Sequence, residues 1–264
     1  MAVTDHHLSA GGRHLFLAHA TGFCAGTWGA VIDEVAGIVG SATSWDFRGH
    51  GASGGGSIPV SWWDMADDAG AVRDSVSVEG AIGVGHSMGG AALVMAQILD
   101  PGRFSGLVLV EPIIPPPPHL RAVHRLAELA RKRRRTFTDR SEVRANFLGR
   151  PPFDHWRPAA FEGYVAGGFR ERGDGTLELA CSPEFEAEVF TAAGGAALLD
   201  RLGEVEIPVT LLFGETMDVF PREWAEHLSG SFPNASLQVV PGGDHFLPMS
   251  TPGVVVEAIR RYAV

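Results

Sequence analysis

The chain has 264 residues, 45% of them hydrophobic, which suffices for a sizeable core in one large α/β domain or in two small ones. Its formal net charge of −10 argues against general affinity for nucleic acid, because phosphate binding needs clustered cations. We expect neither a membrane span nor a signal peptide, since no apolar run approaches roughly 20 residues and no basic segment precedes an apolar one at the N-terminus.

Strand-like and helix-like runs alternate along the first part of the chain, which is the pattern of an α/β fold with a parallel sheet. Continuous apolar runs such as GLVLVE at 106–111 are typical of strands buried on both faces. In chain order we predict strand 14–20, helix 27–39, strand 41–47, helix 62–76, a strand-to-helix segment at 81–97, strand 106–111, strand 208–214, strand 236–242 and helix 253–262.

The alternation breaks at four consecutive prolines, residues 115–118, which favour an extended segment over a strand or helix. From there to about residue 190 the sequence is rich in helical patterns and arginine and lacks strong parallel strands. An interruption of roughly 75 residues is too long for an ordinary loop, so we predict an insertion into the core. Its basic run at 131–135 (RKRRR) is interpreted as the solvated face of a helix, with a surface site for an acidic carrier or anion as the alternative.

The cysteines and histidines exclude several classes of site. Cys24 and Cys181 could pair only once, and we expect lone buried thiols in a reducing cytoplasm. The 11 histidines lack the paired spacing of metal ligands, and no nucleotide-binding loop is visible. We therefore expect no metal and no cofactor.

One serine stands between small residues where the strand-like run of 81–97 turns into a helix-like run. The sequence there is Gly-His-Ser-Met-Gly, residues 85–89, and its position between strand and helix gives the short pattern its meaning. A sharp turn would expose Ser87 above the sheet, while Gly85 and Gly89 would let neighbouring backbone approach closely. The start of the helix would aim free N–H groups at the same point. The structural alternative is a serine that only caps the helix.

A serine hydroxyl is a weak nucleophile and needs a base, for which His245 is the leading candidate. It follows the last predicted strand on a glycine-rich turn, and loops at the carboxyl ends of parallel strands build α/β sites. Gly22 and Phe23 follow the first predicted strand, where a turn could present a backbone N–H toward Ser87. Together with the Met88 N–H, this would form a two-donor oxyanion hole.

Four motifs, in this order, resemble the α/β-hydrolase superfamily: HATGF, DFRGHGAS, GHSMGG and PGGDHF. The resemblance covers nearly the whole core and implies a mostly parallel, doubly wound α/β-hydrolase sheet with a helical cap inserted before the last two strands. Residues 1–111 and 191–264 would form the core and residues 112–190 the cap. It also implies that Ser87 is the nucleophile, that His245 is the base, and that the first loop supplies an oxyanion donor.

Two further features follow from the comparison with this superfamily. The first loop reads HATGF where HGF is commoner, which is two residues longer. The resemblance therefore assigns Met88 as an oxyanion donor more directly than Phe23. The DFRGH segment at 46–50 matches a motif that is usually structural and buttresses neighbouring loops. We therefore leave it out of the predicted catalytic residues.

Two carboxylates compete for the role of orienting His245. Asp218 follows the penultimate predicted strand, where most of the superfamily places this acid, but the register of the turn is off by one residue. Glu111 ends the apolar run GLVLVE, where a minority of these hydrolases place it. A carboxylate there is costly to bury without a partner, and a histidine would provide one. We predict Glu111, with Asp218 as the alternative; the structural alternatives are a cap-anchoring carboxylate and a turn residue.

The predicted function is a serine hydrolase that cleaves a small to medium, mainly apolar ester, thioester or lactone. Alternatives on the same scaffold are a C–C bond hydrolase, a perhydrolase, a cofactor-free oxygenase or a non-catalytic binding protein. The expected partner is therefore a small molecule, and the oligomeric state stays open. Aromatic residues of the insertion would either roof the pocket or pack the cap: Phe137, Phe147, Phe153, Trp156, Phe161, Tyr164 and Phe169.

Overall fold

A computed structural model describes residues 1–9, 11–76, 78–115, 121–193, 197–216 and 219–263. Four strands, at 14–18, 81–86, 104–110 and 209–214, are buried at all or all but one position and are mainly apolar, as the sequence predicts for a sheet covered on both faces. In chain order the strands are β1 (Val3–His7), β2 (His14–Ala18), β3 (Ser41–Trp45), β4 (Ala81–His86), β5 (Phe104–Val110), β6 (Thr136–Phe137), β7 (Phe169–Glu171), β8 (Leu177–Leu179), β9 (Val209–Gly214) and β10 (Ala235–Val240).

Seven strands form the central sheet in the order β1-β3-β2-β4-β5-β9-β10. Every neighbouring pair is parallel except β1 with β3, which is antiparallel. The predicted mostly parallel α/β sheet is therefore confirmed. Its parallel strands end at one edge, where the loops after β2, β4, β5 and β10 meet.

Helices cover both faces of the sheet. The apolar side chains of α2, α3 and α8 pack on one face, and those of α1 and α10 pack on the other, so the sheet is doubly wound. In chain order the helices are α1 (Gly29–Val35), α2 (Trp62–Val76), α3 (Met88–Leu99), α4 (Arg121–Arg131), α5 (Arg140–Phe147), α6 (Pro158–Gly167), α7 (Pro183–Ala192), α8 (Arg222–Ser231), α9 (Leu247–Ser250) and α10 (Pro252–Arg260). Each of them is too short or too polar to span a lipid bilayer.

The predicted helix 27–39 is wrong at both ends. Helix α1 stops at Val35, because Ala36 turns the backbone out of the helical region with ψ at 130°. Val39 is fully buried like Val35, which made a continuing helix plausible. It reaches the core instead through a turn that the Ile38 N–H closes on the Val35 carbonyl.

The chain between β5 and β9 forms the insertion, and α4 to α7 make it helical as predicted. It also contains a small antiparallel sheet of order β6-β8-β7, which the sequence analysis missed because its strands have only two or three residues. Helix α7 continues to Ala192, so the predicted boundary at residue 190 falls inside a helix.

Two helices of the insertion pack closely through alanines. Ala127 and Ala130 of α4 meet Ala187 of α7, and these small side chains let the two backbones approach. Ser182 caps α7 by accepting the Phe185 N–H at 3.2 Å, which fixes the start of that helix. The same packing brings the segment that follows α4 against acidic residues of α7.

Candidate active site

Ser87 occupies a strained turn between β4 and α3. Its φ of 56° and ψ of −117° are unusual for a residue with a side chain, and its N–H donates to the Val110 carbonyl at 2.9 Å. A Cβ on Gly89 would overlap the Ala18 carbonyl oxygen, and one on Gly85 would come within 2.6 Å of the Gly90 backbone. The tight turn therefore requires both glycines, for the reason that the sequence suggested.

The Ser87 side chain makes no capping hydrogen bond to α3, which removes the structural alternative of a simple helix cap. Ser87 and His245 both line a cavity of about 540 Å³ between the core and the insertion. Met88, the first residue of α3, adds one of the N–H groups that a helix leaves free at its start. The Ser87 hydroxyl, the His245 imidazole and the Met88 N–H thus lie at the same end of the sheet.

A buried carboxylate lies against His245. Glu111 follows β5 in the left-handed region with φ at 47° and is 3% exposed. Its Oε2 lies 3.5 Å from His245 Nδ1, and its Oε1 accepts the Gly214 N–H at 2.7 Å. The other predicted acid, Asp218, lies outside the described residues.

A second histidine, which sequence reasoning missed as a site residue, also contacts His245. His86 Nε2 lies 2.8 Å from the His245 carbonyl oxygen, and the two rings are 4.9 Å apart. Burial lowers the pKa of His86 well below its ordinary value, and the neighbouring His245 lowers it further. A neutral His86 that donates from Nε2 therefore ties the residue before Ser87 to the loop of His245. Its place inside the GHSMGG motif was the available signal.

The predicted oxyanion donors of the first loop are engaged elsewhere. The Phe23 N–H donates to the Ala20 carbonyl at 3.2 Å, and the Gly22 N–H donates to His50 Nε2 at 3.1 Å. Both residues line the cavity, but their N–H groups close the loop on itself, so their assignment as oxyanion donors is corrected. Thr21 also lines the cavity, and its N–H has no acceptor among the described residues. Its position directly after His-Ala was the overlooked signal.

Two neutral histidines hold this loop. His19 donates from Nδ1 to the Ala20 carbonyl and accepts the Phe47 N–H at Nε2, while His50 donates from Nδ1 to the Arg48 carbonyl. Burial is the main cause that lowers the pKa of His19 to about 4 and that of His50 to about 3. Neutral imidazoles are required here, because each ring both donates and accepts.

The DFRGH segment anchors its neighbours, as its resemblance implies. Asp46 accepts the N–H groups of Ala25 and Ala52 at 2.7 and 2.8 Å. Arg48 makes a two-bond ion pair with Asp68, at 2.6 and 2.7 Å. Neither Asp46 nor Arg48 lines the cavity.

The insertion closes the cavity from the other side. Of the seven aromatic residues that could roof it, Phe147 and Phe153 line it, and the others pack into the aromatic cluster of the insertion. Leu126, Leu129 and Ala130 of α4 add apolar lining. The wall opposite Ser87 is therefore mainly apolar.

The basic run does not form one solvated helix face, so that interpretation is wrong in part. Helix α4 ends at Arg131, and Arg133 turns inward to line the cavity, where it pairs with Glu186 and donates to Tyr164 Oη at 2.6 Å. Arg134 and Arg135 do remain exposed. Arg133 differs from its exposed neighbours because helix α7 places Glu186 beside it.

Comparison with known proteins finds a matching family model and related hydrolases. A model of the alpha/beta hydrolase family matches residues 15–258. The 2-(acetamidomethylene)succinate hydrolase of Mesorhizobium japonicum is 29% identical over 223 residues, which are 82% of this chain and 76% of that protein. The crystal structure of E-2-(acetamidomethylene)succinate hydrolase has a TM-score of 0.84 at 23% identity, over 98% of this chain and 93% of that chain.

A thermophilic esterase from Thermogutta terrifontis has a TM-score of 0.71 at 22% identity, over 99% of this chain and 92% of that chain. At these identities the two solved structures show a shared fold. The family match spans most of the chain and includes strands β3, β4, β5, β9 and β10, the serine turn and the loop of His245. The chain belongs to the alpha/beta hydrolase family.

Proposed function

We propose that this hydrolase cleaves a small to medium, mainly apolar ester, thioester or lactone through an acyl-enzyme on Ser87. The observation that carries the proposal is the strained Ser87, which shares one cavity with a histidine backed by a buried carboxylate. Ser87 Oγ attacks the carbonyl carbon, and His245 accepts the hydroxyl proton and returns it to the leaving group. Water then attacks the acyl-enzyme with His245 as base.

Glu111 is proposed as the acid that orients the base. Its Oε2 faces His245 Nδ1, so it would hold the proton on Nδ1 and leave Nε2 to accept the serine proton. The Gly214 N–H on Oε1 fixes the carboxylate in turn. This arrangement also supplies the partner that a carboxylate with 3% exposure needs.

The oxyanion hole is proposed to consist of the N–H groups of Met88 and Thr21. Met88 begins α3, where the helix favours negative charge, and Thr21 lies on the cavity wall with an N–H that no described residue accepts. Two preorganised donors of this kind typically contribute several kcal/mol to stabilising the transition state. Segment 112–192, which carries the wall opposite Ser87, is proposed as the cap domain.

The test is an activity screen over matched panels of esters, thioesters and lactones with short to medium acyl chains, with Ser87→Ala as control. We expect turnover of apolar acyl compounds by the natural protein and its loss in the variant. Equal activity of the Ser87→Ala variant, or a preference for highly charged or polymeric compounds, would contradict the proposal.

A second candidate is hydrolysis of a non-ester bond with the same residues. The observation that favours it is the relative named 2-(acetamidomethylene)succinate hydrolase, whose name describes an N-acyl compound. An acyl-enzyme on Ser87 serves an amide as well as an ester, with His245 protonating the nitrogen leaving group. Adding N-acyl compounds of the same acyl chains to the screen separates the two candidates by their kcat/KM values.

A further inference from the structure

The cavity wall carries more positive than negative charge. Among its described lining residues are Arg125, Arg133 and Glu186, although the chain as a whole has a formal net charge of −10. Glu111 lies behind His245 and is not part of the wall. A cavity with a surplus cation attracts an anionic group of the substrate more than a neutral one.

The two arginines differ in how their charge is compensated. Arg133 pairs with Glu186 and donates to Tyr164 Oη, and a Cβ on Gly22 would lie 3.2 Å from its Nη1. The ion pair of Arg133 and Glu186 therefore packs against the loop that contains Gly22, and its two charges compensate each other. The surplus charge of the wall belongs to Arg125.

Arg125 is exposed and differs from most of the arginines whose side chains the structure describes. Most described arginines donate to a carboxylate or a carbonyl; Arg125, Arg131 and Arg150 have no such side-chain partner among the described residues. Of these three, Arg125 is the one that lines the cavity. An unpaired guanidinium at a cavity wall is available to a ligand carboxylate, which it can bind through two parallel N–H donors.

Apolar surface leads to this arginine. Leu129 stands four residues from Arg125 on α4, so the two side chains are neighbours on one helix face, and both line the cavity. Leu129 is 51% exposed, an apolar surface that an alkyl chain would cover.

We propose that the substrate carries one carboxylate at the end remote from the scissile bond, and that Arg125 binds it while the alkyl chain crosses Leu129. This deepens, and rests on, the proposed acyl-enzyme function of the same cavity. Arg125 is then a specificity-determining residue and takes no part in the bond-breaking step. The substrate class is a half-ester or similar monoanionic acyl compound.

The test compares monoethyl esters of dicarboxylic acids with four to eight carbons against ethyl esters of monocarboxylic acids of the same length. We expect the natural protein to prefer the monoanionic series in kcat/KM by at least about tenfold. Arg125→Met should remove this preference mainly through a higher KM for the monoanionic esters, while the neutral esters keep their rates. Arg131→Met removes a charge from the same helix outside the cavity wall and should leave the preference intact.

Two outcomes would overturn the proposal. One is equal kcat/KM for the two series in the natural protein, and the other is an equal loss of both series in Arg125→Met. In both cases the natural protein still cleaves the neutral esters, so these outcomes contradict only the carboxylate site. Failure of the proposed function looks different, because neither series would then be cleaved in a Ser87-dependent manner.

Discussion

The role of Glu111 is most sharply tested by Glu111→Gln. Glutamine has the same shape, and its amide oxygen can still accept the Gly214 N–H, so the protein should fold. Its amide nitrogen would face His245 Nδ1 and donate to it, which favours the tautomer with the proton on Nε2. That tautomer cannot accept the proton of Ser87.

The magnitude follows from the distance between the two side chains. Unit charges 3.5 Å apart, the separation of His245 Nδ1 and Glu111 Oε2, attract by about 5 kcal/mol at an effective dielectric constant of about 20. Because an imidazolium forms only during the reaction, this loss falls on the transition state. We therefore expect kcat to fall by roughly three orders of magnitude, the tautomer effect included.

The assay is kcat on the best ester of the screen, with circular dichroism and Tm as checks that each variant is folded. Asp218→Asn is the matched comparison, and we expect it to change kcat little. A folded Glu111→Gln with kcat within about tenfold of the natural protein would refute the reasoning. A large loss of kcat in Asp218→Asn together with a small loss in Glu111→Gln would also refute it.

Two further predictions concern stability. His19 and His50 are neutral in the fold, with pKa values lowered to about 4 and about 3, so below about pH 6.5 the unfolded chain binds protons that the native state does not. Each of these two histidines should therefore lower the free energy of unfolding by about 2 kcal/mol between pH 7 and pH 5. In urea titrations, the His50→Gln variant should lose less of its free energy of unfolding over that range than the natural protein does. Gly89→Ala places a Cβ against the Ala18 carbonyl and should cost about 1–3 kcal/mol together with activity. Gly230→Ala, whose Cβ meets open space on a helix, is the neutral or stabilising control in the same denaturation assay.

Each of the two stability predictions is contradicted by a specific experimental result. An unchanged or higher free energy of unfolding at pH 5 would contradict neutral buried histidines, and so would an equal pH-dependent loss in His50→Gln. If Gly89→Ala were as stable and active as Gly230→Ala, the tight turn around Ser87 would tolerate a side chain, contrary to the geometry.

The elements that set the sheet could be predicted because their signals are local. Buried, mainly apolar runs specify β4 and β5, and the predicted helix 62–76 matches α2 to the residue. The strand-to-helix position of Ser87 and the late glycine-rich turn of His245 likewise depend on neighbouring residues. The cost of burying a carboxylate predicts a partner for Glu111, and its Oε2 lies 3.5 Å from His245 Nδ1.

The details that failed depend on contacts distant in sequence or on the geometry of a single turn. Arg133 looks like its exposed neighbours until α7 supplies Glu186, 53 residues later. The spacing of the first loop favours Phe23 as an oxyanion donor, but the Phe23 N–H closes the turn on the Ala20 carbonyl. Whether a backbone N–H is free is decided by dihedral angles that residue types alone do not specify.

The proposed function requires that Ser87 be a nucleophile activated by His245. Its most direct measurement is labelling of the folded protein with a fluorophosphonate, followed by peptide mapping by mass spectrometry. We expect one label, on Ser87, and its loss or strong slowing in His245→Gln. A folded protein that stays unlabelled, or a label on another residue, would contradict it.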